Sequence, residues 1–286
     1  MEIHGVEAAR HQAAIANEDI AALSDKIRFR RNPIRLATCY SHLGIDHVSL
    51  AVHAFFVEGD IHRFKQNMHV ASLLKIAAVE TESYQRFTVG DEIFCALLSD
   101  NPVVIDSVAR LEPRYFIEGR SNPLHSEFRV HMYQLAILGD YEQLQVKIER
   151  LAKNGRKKDR ELPTLRKDFF SLLMDGDKQG LEELISRDAL VKSKDVLTED
   201  FMCFQGAIEA KICWMKGIQV QIVSPLLPMA LMPLQPLDHY DDVYDFLAPG
   251  YVPPKVGWLE RLRYQLKERA QFKESTKRAL EANNKR

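Results

Sequence analysis

Residues 237–247, LDHYDDVYDFL, hold the side chains best spaced to act together. Asp238, Asp241, Asp242 and Asp245 stand at i, i+3, i+4 and i+7, with Tyr240 and Tyr244 beside them. On a short helix the four carboxylates would share one face. They would repel one another by roughly a few tenths of a kcal/mol per i,i+4 pair, offset in part for Asp238 and Asp241 by a helix N-terminus. The chemistry such a face suits is recognition: carboxylates steer a basic partner in and tyrosines anchor it. The plainer alternative is a capped, solvated helix. These six are the candidate partner-binding residues.

Other chemistries find less support. Ten histidines are present, but His47 and His53 point to different helix faces. His62 and His69 are two turns apart, about 10 Å along a helix axis, and neither pair suits one zinc. Glu80 with Glu82, and Glu182 with Glu183, would point to different sides of a helix. No G-x-x-x-x-G-K-[ST], G-x-G-x-x-G, G-x-S-x-G or H-E-x-x-H motif occurs. The sequence therefore points to no catalytic residue, no metal and no cofactor, and a protein that is not an enzyme is expected, although catalytic groups need only meet in space. The stretch 153–163, KNGRKKDRELP, carries five basic residues, Lys153, Arg156, Lys157, Lys158 and Arg160. Without interleaved aromatics it reads as a solvated loop rather than a phosphate or nucleic-acid site.

The elements that must carry these residues are organised by a recurring turn. Glu58-Gly59-Asp60, Leu138-Gly139-Asp140 and Asp175-Gly176-Asp177 each separate two apolar helical stretches. Gly supplies the left-handed residue that ends one helix, and Asp caps the next. Phe64, Leu144 and Leu181, four residues past each Asp, would fold the second helix onto the first. Ser99-Asp100-Asn101-Pro102 and Lys216-Gly217 are weaker copies, whereas Gly90-Asp91 is off register and reads as a helix cap. Turns at 59, 100, 139, 176 and 217 give steps of 41, 39, 37 and 41. A period near 40 with two helices per unit predicts an all-α fold of stacked helical hairpins, solenoid-like in the manner of TPR or HEAT pairs.

Along the chain, a first helix is expected over 7–30 with a break at Pro33, then an interruption at Gly44 and a loop over 112–124. The helix 198–217 would be capped by Thr198 and turn Phe201, Phe204, Ile208, Ile212 and Met215 inward. IQVQIV follows as an extended arm, then a segment broken by Pro225, Pro228, Pro233 and Pro236, too short and too interrupted for a membrane span. A basic amphipathic helix closes the chain from about residue 255. Residues 1–247 thus read as one helical-hairpin domain, and 248–286 as a Pro-containing linker with a basic helix.

With 46% apolar and 28% charged residues and a net charge of −1, nothing global demands nucleic acid or a membrane. The charge is uneven, with +6 over residues 255–286 and −7 over the rest, an acidic body suited to a basic partner. Cys39, Cys95, Cys203 and Cys213 form no C-x-x-C pair, and the N-terminus does not resemble a signal peptide, so a reducing cytoplasm is expected.

Residues 204–231, FQGAIEAKICWMKGIQVQIVSPLLPMAL, pass from a helix of small and apolar residues through a Gly turn and a Val/Ile segment to a Leu-Pro element. This resembles the C-terminal part of the Immunity protein 49 family of bacterial polymorphic-toxin systems, and HMYQLAILGDYEQL at 131–144 is similar to that family too. The layout also resembles that of immunity proteins of PoNe-type DNase toxins. The resemblance implies a cytoplasmic immunity (antitoxin) protein that binds a cognate toxin, such as a basic nuclease domain, and neutralises it without catalysis. It transfers no binding residues. The alternative is a TPR- or HEAT-like adaptor holding a peptide or helix in a groove.

Overall fold

The Gly-Asp corners close by a shared pattern. In the computed structural model, which describes residues 3–81, 87, 90–190 and 201–283, Gly59, Gly139 and Gly176 take left-handed φ values of 72°, 76° and 67°. The following Asp N–H donates back into the helix just ended, from Asp60 to Ala54 O (2.8 Å), Asp140 to Leu135 O (3.0 Å) and Asp177 to Leu172 O (3.0 Å). That satisfies carbonyls a helix end leaves open. Each Asp carboxylate then accepts a backbone N–H of the next helix, from Arg63 (2.9 Å), Gln143 (3.1 Å) and Gly180 (3.0 Å). Phe64, Leu144 and Leu181 are fully buried, as their spacing predicts.

Helix α1 (Ile3–Phe29) ends before Pro33. The first hairpin is α2 (Leu36–Phe56) with α3 (Ile61–Thr81), and the second is α4 (Asp91–Ser99) with α5 (Pro102–Ala109). A short α6 (Arg114–Gly119) precedes the third hairpin, α7 (Ser126–Leu138) with α8 (Tyr141–Asn154). Then come α9 (Lys157–Thr164), the fourth hairpin of α10 (Phe169–Asp175) with α11 (Lys178–Asp188), α12 (Phe204–Met215) and α13 (Trp258–Asn283). Every regular element among the described residues is helical, so the fold is all-α.

Several local expectations change. Gly44 does not interrupt α2; it is buried, and a Cβ there would stand 3.2 Å from Lys75 Cγ and 3.4 Å from Ala71 O, so the missing side chain lets α2 and α3 approach closely. The expected loops over 112–124 and 153–163 contain α6 and α9. Thr198 lies outside the described residues; Cys203 caps α12, its Sγ accepting from Gly206 N (3.4 Å).

The hairpins do not simply add in a line. Helix α12 packs against α4 and α7 as well as α11, so the last unit closes back on the second and third. In a one-dimensional solenoid each repeat touches only its neighbours. The main core therefore joins all units, with Phe64, Phe94, Phe128, Phe169 and Ile208 in one apolar cluster. A second cluster joins α1, α2 and α3 through Ile27, Tyr40, Leu43 and Leu74.

Beyond Gly217 the chain becomes an extended strap. It runs over 218–251, with short 3₁₀ turns at Met229–Leu231 and Asp245–Leu247. Val220, Ile222, Leu227, Leu231 and Met232 bury their side chains. Farther on, Tyr244 and Phe246 plug the second cluster, and Tyr251 Oη donates to Arg28 O (3.1 Å) at the end of α1. Packing onto the body thus continues through Tyr251, past the boundary expected at residue 247. No helix among the described residues is long and apolar enough to cross a membrane.

Candidate functional site

The expected helix over 237–247 does not form, and the four aspartates do not share a helical face. Residues 237–244 are irregular, and only Asp245–Leu247 make a single 3₁₀ turn. The two tyrosines turn inward. Tyr240 Oη donates to Ser99 O (2.6 Å) and accepts from Leu237 N (3.0 Å). Tyr244 is buried, hydrogen-bonded to His47 (2.7 Å) and stacked on Phe246 at 4.8 Å. Neither is free to anchor a partner from the surface, because both anchor the strap. Asp245 pairs with Arg28 (2.9 Å) and Asp242 with His69 (3.1 Å), while Asp241 meets His239 (3.0 Å). Asp238, Asp241 and Asp242 remain exposed, an acidic edge on the strap's outer side.

Two histidines of the first hairpin read the strap. Asn101 Nδ2 donates to His69 Nδ1 (3.1 Å), so the His69 proton sits on Nε2 and faces Asp242. His47 has the opposite tautomer: Nδ1 donates to Asn67 Oδ1 (2.9 Å) and Nε2 accepts from Tyr244 (2.7 Å). Burial holds both imidazoles below their usual pKa, for His69 against the pull of Asp242. Neither histidine is placed to share a metal. Among the described residues no three His, Cys, Asp or Glu side chains gather as a metal site, and the four cysteines form no disulfide.

The centre of the strap's seat is a buried ionic triad that motif reading missed. Asp100 occupies the second corner, where the Gly-Asp turns place glycine, with φ of 61°. Its carboxylate lies 2.9 Å from Lys65 Nζ of α3 and 2.5 Å from Lys211 Nζ of α12. The three side chains are 0%, 4% and 0% exposed, in the order Asp100, Lys65, Lys211. One carboxylate cannot neutralise two ammoniums, and strap carbonyls supply the rest: Lys65 donates to Gln235 O (2.6 Å), Lys211 to Leu231 O (2.7 Å) and Pro233 O (3.1 Å). Gln235 N closes the ring onto Asp100 (3.3 Å). Burial pushes Lys211 down to about 8 against the attraction of Asp100. The sequence signals were a lysine inside an apolar helix, and an aspartate where the other corners carry glycine.

A second buried carboxylate, Glu209, accepts from Tyr133 Oη (2.8 Å) and Gln205 Nε2 (2.9 Å), with Arg129 at 3.8 Å. Burial raises its pKa. At the far end of the strap, α13 reaches the segment that follows α1. Glu260 pairs with Arg31 (2.9 Å) and Gln265 bonds Asn32 (2.9 Å), while Asp245 is held by Arg28 in the last turn of α1. Trp258, Leu259, Leu262 and Leu266 of α13 are 72%, 52%, 47% and 56% exposed. Positions 258, 262 and 266 form one line along the helix, an apolar stripe turned to solvent.

No protein-family model, curated protein or solved structure matches this chain.

Proposed function

We propose that this chain is an immunity-type antidote: it binds a cognate toxin or effector protein and neutralises it by occlusion, with no chemistry of its own. The observation that carries the reading is the apolar stripe of α13, Trp258, Leu259, Leu262 and Leu266, presented to solvent. Contiguous exposed apolar side chains at the rim of a rigid body mark a protein-binding surface, and an aromatic anchor is what such interfaces use best. The exposed carboxylates of Asp238, Asp241 and Asp242 favour a basic partner through steering. The resemblance of residues 204–231 to Immunity protein 49 sequences supplies the class of partner.

The test is co-expression with a candidate toxin, sought among the open reading frames next to this gene. Growth rescue and a one-to-one complex are expected, and Trp258→Asp with Leu262→Asp should abolish both while leaving the far-UV circular dichroism and melting temperature unchanged. Capture of several unrelated proteins, with no rescue, would instead favour the adaptor reading. Full rescue by the double variant would overturn the role of α13.

A further inference from the structure

A cavity of about 280 Å³ opens between α7, α8 and the loop that follows α6, far in sequence from the strap. Among the described residues its polar lining is Arg120, Ser121, His131, Gln143, Lys147 and Arg150, with three cations and no carboxylate. Lys147 is the informative member. A surface lysine normally carries its ammonium out to water, yet this one turns inward: Nζ donates to Arg120 O (2.6 Å) and lies 4.0 Å from the Phe128 ring centroid. Arg120 reaches away to Glu112. Asp140, on the α7–α8 corner, turns its oxygens to Gln143 N (3.1 Å) and Gln143 Nε2 (2.6 Å). Burial, with the neighbouring cations Arg120 and Arg150 adding to it, pushes Lys147 down to about 7, and burial with Lys147 and Arg120 pushes His131 down to about 3. His131 Nδ1 is buried and has no hydrogen-bond partner among the described residues. The basic stretch after α8 adds to the rim, since Arg156 donates to Leu124 O (2.8 Å) on the loop carrying Arg120 and Ser121.

Like charges brought together repel, and a protein surface ordinarily interleaves them with opposite ones, as Glu112 does for Arg120 but no carboxylate of the cavity lining does for Lys147 or Arg150. We infer that this cavity is a binding site for a small phosphorylated ligand, a phosphomonoester or pyrophosphate group, with Lys147 and Arg150 gripping its oxygens and Ser121 and Gln143 donating at the sides. The site lies apart from α13, so it stands or falls separately from the antidote reading.

Titration calorimetry of the full chain with inorganic pyrophosphate tests it. One-to-one binding is expected, weakened at least about tenfold by Arg150→Gln and by Lys147→Met, since charge-assisted hydrogen bonds carry the affinity. Lys157→Gln, on the exposed face of α9, should leave it unchanged. Arg150 is exposed, so its variant keeps the fold even where Lys147→Met does not. Sulfate keeps its charge from pH 6 to 8, and its binding should weaken about tenfold over that range as Lys147 loses its proton. The charged groups facing Lys147 are Arg120 and Arg150, with Asp140 near His131. No heat and no thermal shift with millimolar pyrophosphate would overturn the assignment. Binding of a single-stranded oligonucleotide with the same Arg150 dependence, but not of pyrophosphate, would overturn it in favour of nucleic acid.

Discussion

Replacing Asp100 by asparagine isolates the charge that holds the strap. Asparagine has the same shape and tolerates the left-handed φ of 61°, so the substitution removes little but the negative charge. Lys65 and Lys211 would then face each other across a site where their side chains are 4% and 0% exposed, without the carboxylate's charge between them. Removing one partner of a buried ion pair costs about 3–5 kcal/mol. The retained bonds to Leu231, Pro233 and Gln235 carbonyls argue for the lower end, about 3 kcal/mol. Asp100→Ala should cost about 1 kcal/mol more, because alanine also resists the left-handed conformation, and Asp100→Gly should recover that increment. Urea unfolding measures all three. With a slope of about 1–3 kcal/mol per molar, the asparagine variant should lower the midpoint by at least about 1 M. Limited proteolysis should also cut faster within 233–243 in that variant. A loss below about 1 kcal/mol for Asp100→Asn would refute the triad as the strap's anchor, since an exposed pair is worth no more than that.

Three further outcomes follow from the same geometry. Val243, a β-branched residue at φ 57°, sits at the tip of a tight turn closed by Tyr244 N to Asp242 O (2.5 Å), so Val243→Gly should raise stability by about 1 kcal/mol in thermal unfolding. Tyr244→Phe leaves His47 Nε2 unpaired and should cost about 1–2 kcal/mol without weakening any partner complex, which would separate strap anchoring from recognition. Burial pushes the Glu92 carboxyl up from 4.5 to about 7, so its penalty is absent at pH 4, grows as pH rises from about 4.5 to 7 and is complete above that. Glu92→Gln should therefore be neutral near pH 4 and stabilising by about 2–3 kcal/mol at pH 8 in denaturant titrations at the two values.

The corners were legible because their chemistry is local. Gly59, Gly139 and Gly176 need only their own backbone and the next Asp to end one helix and begin another, and Phe64, Leu144 and Leu181 bury as that spacing requires. The strap was misread for the opposite reason. The i, i+3, i+4, i+7 pattern from Asp238 to Asp245 is a helical spacing of charges, but nothing in it buries an apolar face. What decides its conformation is reward from distant groups: Ser99 O for Tyr240, His47 for Tyr244 and Arg28 for Asp245. The triad was invisible as a motif because Lys65, Asp100 and Lys211 come from three separate elements and meet only once α12 has closed on the second hairpin. The stripe on α13 could be read as an amphipathic helix, but not that the body leaves its apolar side uncovered.

The strap also sets an order of assembly. Tyr244 and Phe246 complete the small core shared by Ile27, Tyr40 and Leu74 of the first three helices. A growing chain therefore cannot complete the small core of α1, α2 and α3 until Tyr244 and Phe246 have been made. Until then those helices hold an open apolar socket, and closing it demands a loop spanning most of the chain, a slow step of the kind that limits folding rates. Truncation anywhere before the strap would reopen the core of α1, α2 and α3, far along the chain from the cut.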